Sequence, residues 1–130
     1  MCIFCKIVEG SIPSYTIYED ETVKAFLDIS QVTKGHTLVI SKKHYENFLT
    51  CDVEDMKKVM ETAQKLGNEL MVKLNAKGMN VLTNINEVAG QSVFHFHVHL
   101  IPRYDENDAC QIHFNESEKV NFEEILSLLK

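Results

Sequence analysis

The chain is defined first by what it lacks. No apolar run approaches the ~20 residues that a membrane-spanning helix needs. The opening Met1-Cys2-Ile3-Phe4-Cys5-Lys6 has no basic start, apolar stretch and small-residue cleavage site of a secretory signal. With two prolines and five glycines, no linker rich in these residues divides the chain, and no repeat or low-complexity stretch is visible. Positive charge is also short: 13 basic residues face 19 acidic ones, a formal net charge of −6, and Lys42-Lys43 is the densest basic pair. A nucleic-acid polymer needs a cationic surface, so it is excluded as a partner. A single small phosphate compound is not, because a few backbone N–H groups and side chains can hold one. These absences predict one cytoplasmic domain over residues 1–130 with no membrane partner. What is present agrees. At 45% hydrophobic and 25% charged, the composition is that of a globular domain. At this length about two thirds of the unfolded chain's surface should be buried.

Four cysteines need placing. Without a secretory signal a disulfide framework is not expected. Cys2 and Cys5 form a C-x-x-C pair, which reads as half a zinc site or a redox pair. The redox reading is weak, since no strand precedes Cys2. Cys51 and Cys110 stand alone as buried or free thiols.

The pattern predicts a short helix over 3–8, ended by Gly10 and Pro13, and a hairpin of strands over 16–20 and 23–27. A third strand covers 36–40. Residues 42–51 are irregular. One long helix covers 52–74, where Val53, Met56, Val59, Met60, Ala63, Leu66 and Leu70 recur at helical spacing, with Asp52 as its cap. A fourth strand covers 79–83 and a fifth 94–102. Asn121, with Glu124 three residues on, caps a last helix. Hairpin-linked strands outnumbering helices suggest α+β with an antiparallel sheet.

The informative segment is His95-Phe96-His97-Val98-His99-Leu100-Ile101, which holds three of the six histidines. On a strand, alternate side chains share a face. His95, His97 and His99 then point one way, and Phe96, Val98 and Leu100 point into the core. An imidazole row is a poor choice for stability alone. It suits metal ligation, or a nucleophile or base supported by its neighbours. The preceding Gly90-Gln91-Ser92 turn offers donors that suit a phosphoryl group.

These residues resemble the histidine-triad (HIT) signature, His-φ-His-φ-His-φ-φ with φ apolar. Ile3-Phe4-Cys5-Lys6-Ile7, Ile12-Pro13, Phe26-Leu27-Asp28-Ile29, the run from Gly35 to His44, and Gly90-Gln91-Ser92-Val93 follow the family's order. The resemblance covers about residues 2–104 and is closest to the Hint-like branch, in its compact bacterial-type members with an N-terminal C-x-x-C. It implies the HIT fold, an antiparallel sheet of about five strands with one long and one or two short helices; residues 105–130 depart from the matched region and form a C-terminal extension with the final helix. It implies a homodimer and a hydrolase or transferase acting at the α-phosphate of purine nucleotides, derivatives of AMP or GMP, through a nucleotidyl-histidine intermediate. Carried over, His97 resembles the nucleophile, His99 and Ser92 contact phosphate and leaving group, and His36 is a further histidine beside the nucleophile. Asn84 and Gln91 resemble polar residues lining the phosphate side. Asp28 matches the residue that binds the ribose hydroxyls, and Phe4, Ile7, Ile12 and Ile29 match an apolar base pocket. C-x-x-C members add two histidines to the cysteines, so Cys2, Cys5, His44 and His95 are implied as a structural Zn2+ site. His95 then belongs to structure and His97 with His99 to chemistry. Two alternatives stand beside a phosphoramidase-type activity: a Fhit-like dinucleoside polyphosphate hydrolase, and a nucleotide-binding interaction protein with little turnover.

Overall fold

The computed structural model describes residues 2–116 and 119–130. Its first element is helix α1 (Ile3–Glu9). Gly10 closes it at φ 90°, a left-handed conformation open to glycine, and donates its N–H to the Ile7 and Lys6 carbonyls. Strands β1 (Thr16–Glu19) and β2 (Val23–Leu27) form the expected hairpin. Asp20 shapes its turn by accepting the Thr22 and Val23 N–H groups at 2.8 Å. Then come β3 (Thr37–Ser41), the long helix α2 (Val53–Lys73), β4 (Gly78–Leu82), β5 (His97–Arg103) and α3 (Phe122–Leu129). The sheet order is β1-β2-β3-β5-β4, and every neighbouring pair is antiparallel.

The period of two divides the sheet's faces. Val23, Ala25, Val39, Phe96, Val98 and Leu100 pack under Val59, Ala63 and Leu66 of α2. Phe26, Leu38 and Ile40 face the other way, onto Phe4 and Ile7 of α1. In the β3–β5 register Ile40 pairs with His97 and Leu38 with His99, so both histidines lie on the α1 face. Lys24 also lies on this face. It is buried, and its Nζ donates to the Ile7 carbonyl at 3.1 Å, which ties the end of α1 to the sheet. Gly35, at φ 93°, lets the chain turn into β3 against Leu74, whose Cδ1 a Cβ would strike.

Several details differ from the sequence reading. β5 begins at His97 rather than Phe94, because the Phe96 N–H donates to the Tyr45 carbonyl at 2.7 Å and so leaves the ladder to β3. β3 and β4 are displaced by one residue, to 37–41 and 78–82. Asp52 sits at the start of α2 but makes no side-chain cap hydrogen bond. At α3 the expected cap is present: Asn121 Oδ1 accepts the Glu124 N–H at 3.1 Å. None of the residues of α3 is buried.

Candidate functional site

Two clusters form where α1 crosses the histidine segment. In the first, the His95 ring is fully buried. Its Nε2 lies 2.6 Å from the Ser41 carbonyl. A carbonyl only accepts, so Nε2 carries the proton and the Nδ1 lone pair is free. Nδ1 lies 3.4 Å from Cys2 Sγ, 3.6 Å from Cys5 Sγ and 3.2 Å from His44 Nδ1. Cys5 Sγ lies 3.4 Å from His44 Nδ1. The four donor atoms all lie within 4.8 Å of one another. Tetrahedral zinc with Zn–N of about 2.0 Å and Zn–S of about 2.3 Å has donor–donor edges of about 3.3–3.8 Å. Four of the six donor–donor separations, 3.2–3.6 Å, are close to these edges, so the cluster could hold such an ion, and the Ser41 carbonyl supplies the outer hydrogen bond that orients a ligating imidazole. Burial and the adjacent Cys2 raise the Cys5 thiol above its ordinary pKa, so an ion here must displace a proton.

The second cluster reverses the tautomer. His97 Nδ1 lies 2.6 Å from the His95 backbone carbonyl, so Nδ1 carries the proton and Nε2 keeps its lone pair. Thr83 Oγ1 donates to the His97 carbonyl at 2.7 Å and steadies that strand. His36 Nδ1 accepts the Val32 N–H at 3.4 Å. That leaves the proton on His36 Nε2, 3.0 Å from His99 Nδ1. His99 therefore carries its proton on Nε2. Asp28 Oδ2 lies 3.7 Å from His36 Nε2, and Asp28 Oδ1 accepts the Ser30 N–H at 2.8 Å. Burial lowers the pKa of His97 and His36. Burial, with His97 and His36 nearby, lowers that of His99 to about 4. These rings are neutral at pH 7, one as a bare lone pair and one as an N–H donor.

His97, His99 and Asp28 line a cleft of about 330 Å³, whose apolar wall includes Phe4, Ile7 and Ile12. Phe4 stands edge-on to His97 at 5.1 Å between centroids and to His95 at 5.9 Å. Ile29 also lines the cleft, although 87% exposed. Ser92 lies at its rim. His36 is buried behind His99. Gln91 and Asn84 do not line this cleft. Gln91 is buried, and its side chain serves the loop: Oε1 accepts the Asn86 N–H at 2.7 Å, and Nε2 donates to the Glu46 carbonyl at 2.6 Å and the Val93 carbonyl at 3.1 Å. Asn84 Nδ2 lies 3.5 Å from the Gly90 carbonyl. Sequence reasoning missed Ser41, Thr83 and Lys24. The first acts through a carbonyl, which every residue has, and the other two through backbone partners remote in sequence. His113 is exposed, and all four cysteines are free, Cys110 buried and Cys51 half-buried.

The family model described as "HIT domain" matches residues 9–106. "Protein hit" of Bacillus subtilis is 53% identical over 107 residues, which cover 82% of this chain and 74% of that protein. A crystal structure of a HIT family protein from Bacillus anthracis superposes with a TM-score of 0.91 at 45% identity, covering 98% of this chain and 92% of that one. At greater distance, the adenosine 5'-monophosphoramidase HNT1 of Candida albicans is 37% identical over 109 residues, 81% of this chain and 72% of that protein.

Proposed function

The chain belongs to the HIT domain family, and from that premise we propose that it hydrolyses purine nucleoside phosphoramidates, derivatives of AMP or GMP, through a nucleotidyl intermediate on His97. The observation that carries this reading is the tautomer of His97. Its Nδ1–H is held by the His95 carbonyl, so Nε2 is the lone pair available beside Asp28, His99 and the apolar wall in the cleft. A neutral imidazole is a competent nucleophile near pH 7. The 37%-identical HNT1, named an adenosine 5'-monophosphoramidase, supports the same activity.

In the first step the His97 Nε2 pair attacks phosphorus. The bond from phosphorus to the leaving nitrogen breaks, and its electrons go to that nitrogen. The nitrogen takes one proton from solvent and departs as an amine, while His99 Nε2–H donates a hydrogen bond at the reacting phosphoryl group. His36 Nε2–H, hydrogen-bonded to His99 Nδ1, holds His99 in the tautomer that can donate. In the second step water attacks phosphorus, gives one proton back to solvent, and releases His97 with its Nε2 lone pair and the nucleoside monophosphate. Ser92 at the rim donates to the phosphoryl oxygens. Asp28 accepts from the ribose hydroxyls, and Phe4, Ile7, Ile12 and Ile29 cover the base. Gln91 holds the turn that presents Ser92, and Asn84 lies against that turn at Gly90.

Cys2, Cys5, His44 and His95 would hold a Zn2+ ion, which would supply a cross-link between α1 and the sheet and no reactive group. The reading includes a reducing, cytoplasmic setting in which the cysteines stay reduced. No helix of the described residues is long and apolar enough to cross a membrane. It also includes a homodimer. β4 is an edge strand with Val81 exposed, and Met60 and Met71 of α2 flank an apolar hollow beside it.

The test is mass spectrometry of protein quenched rapidly with adenosine or guanosine phosphoramidate. The expected result is an adduct of one nucleoside monophosphate, absent in His97→Ala. Equal, slow hydrolysis by wild type and His97→Ala would leave a nucleotide-binding protein with little turnover. An adduct formed only from a dinucleoside polyphosphate would favour the Fhit-like alternative.

A further inference from the structure

The nucleotide cleft has a neighbour. A second cavity of about 450 Å³ opens beside it, and the two share Ile3, Ser92 and Val93 as a common wall. The far side of the second cavity is built from Cys2, His44, Glu46 and Phe94. Gln91 fixes both sides. Its buried side chain donates to the Glu46 carbonyl at 2.6 Å and to the Val93 carbonyl at 3.1 Å. The second cavity is thus a held feature of the turn that carries Ser92.

A substrate cleaved at a phosphorus bonded to two unlike groups has two halves. The first cavity has the apolar wall, Asp28 and the two cleft histidines, which leaves the space beyond Ser92 for the departing half. The chemistry of that space is specific. Among the described residues lining it, Glu46 carries the fixed charge. An ion held by two thiolates and two imidazoles is close to neutral, so the metal cluster does not offset that charge. Phe94, 42% exposed, lines the same cavity as an apolar residue. Resting on the phosphoramidase reading, we infer that the second cavity is a leaving-group subsite that selects amines carrying a second, cationic group on a short apolar stem. The same carboxylate disfavours a leaving group made of further phosphates.

Glu46 is exposed, so its pairing with an ammonium group is worth only about two- to five-fold. The experiment compares two adenosine phosphoramidates of nearly equal size, one made with ethylenediamine and one with propylamine. The expected wild-type ratio of kcat/KM favours the cationic amide about two- to five-fold, chiefly through KM. In Glu46→Gln the ratio falls to about one, and in Glu46→Lys it inverts. A wild-type ratio of one, or a ratio that survives Glu46→Gln, overturns the subsite while propylamide hydrolysis through the His97 adduct keeps the phosphoramidase reading. Hydrolysis of neither amide by wild type removes that reading, and the subsite with it.

Discussion

His95 and His97 are two residues apart, lie on the same face of the same chain segment, and have opposite tautomers. The His95 ring gives its Nε2–H to the Ser41 carbonyl and turns the Nδ1 lone pair toward two sulfurs and a second imidazole. The His97 ring gives its Nδ1–H to the carbonyl of His95 itself, which leaves Nε2 for the cleft. The difference lies in which backbone carbonyl each ring meets, since the side chains are identical. A ring whose lone pair converges with three other donor atoms suits a cation. One whose lone pair faces an open apolar cleft suits an electrophile. His95 belongs to both arrangements, through its ring on one side and its carbonyl on the other.

The largest effect should separate the two. His97→Ala is expected to lower kcat/KM by about 10⁴-fold or more while zinc stoichiometry, measured by atomic absorption, stays near that of wild type. His95→Ala should instead lose the metal. Loss of metal from His97→Ala as well would show that the clusters are not separable. Chelation is the next largest effect. Stripping zinc should lower Tm by about 10 °C, the loss of a few kcal/mol of binding. Turnover assayed well below the new Tm should persist at the same kcat within a few-fold. Activity that disappears at once on chelation, with circular dichroism unchanged, would move His95 from structure to chemistry.

How much of this was legible in the sequence follows the same division. The face of each histidine was legible, because a period of two is a property of the strand, and Phe96, Val98 and Leu100 do pack under α2 as the alternation requires. The hairpin and α2 were legible for the same reason of periodicity. The start of β5 was not, because it depends on Phe96 meeting the Tyr45 carbonyl, a contact between segments 51 residues apart. The tautomers were not legible either, since Ser41 acts through its backbone. The resemblance puts Gln91 among polar residues of the phosphate side. Its three loop hydrogen bonds turn it into the support of the turn that carries Ser92.

Acid should act on the cleft cluster with a defined sign. The His99 pKa is lowered to about 4 in the folded protein, first by burial and then by His97 and His36, against about 6.5 when unfolded. Between those values the unfolded chain binds a proton that the folded chain refuses. Stability is therefore full above about pH 7 and declines as pH falls toward 4. The His99 share between pH 7 and 5 is about 2 kcal/mol, and His36, also lowered by burial, acts in the same direction. Urea midpoints at pH 7 and pH 5 measure this in wild type and His99→Gln. The variant should lose less stability across the interval. An equal loss would mean that the ring is already solvated in the native state.

The smallest effect tests whether Asp28 acts on the substrate or on the histidines. Its carboxylate lines the cleft and also stands 3.7 Å from His36 Nε2. That distance is long for a hydrogen bond, so Oδ2 is free to accept from a ribose hydroxyl. Asp28→Asn should raise KM about tenfold, the loss of a charged acceptor's advantage over a neutral one, and change kcat less. The same substitution assayed on a 2',3'-dideoxynucleoside phosphoramidate should have little effect, because there is no hydroxyl to lose. A tenfold loss on both substrates, appearing in kcat, would mean that Asp28 works through His36 on His99. It would then belong with the proton-carrying imidazoles rather than with the walls of the cleft.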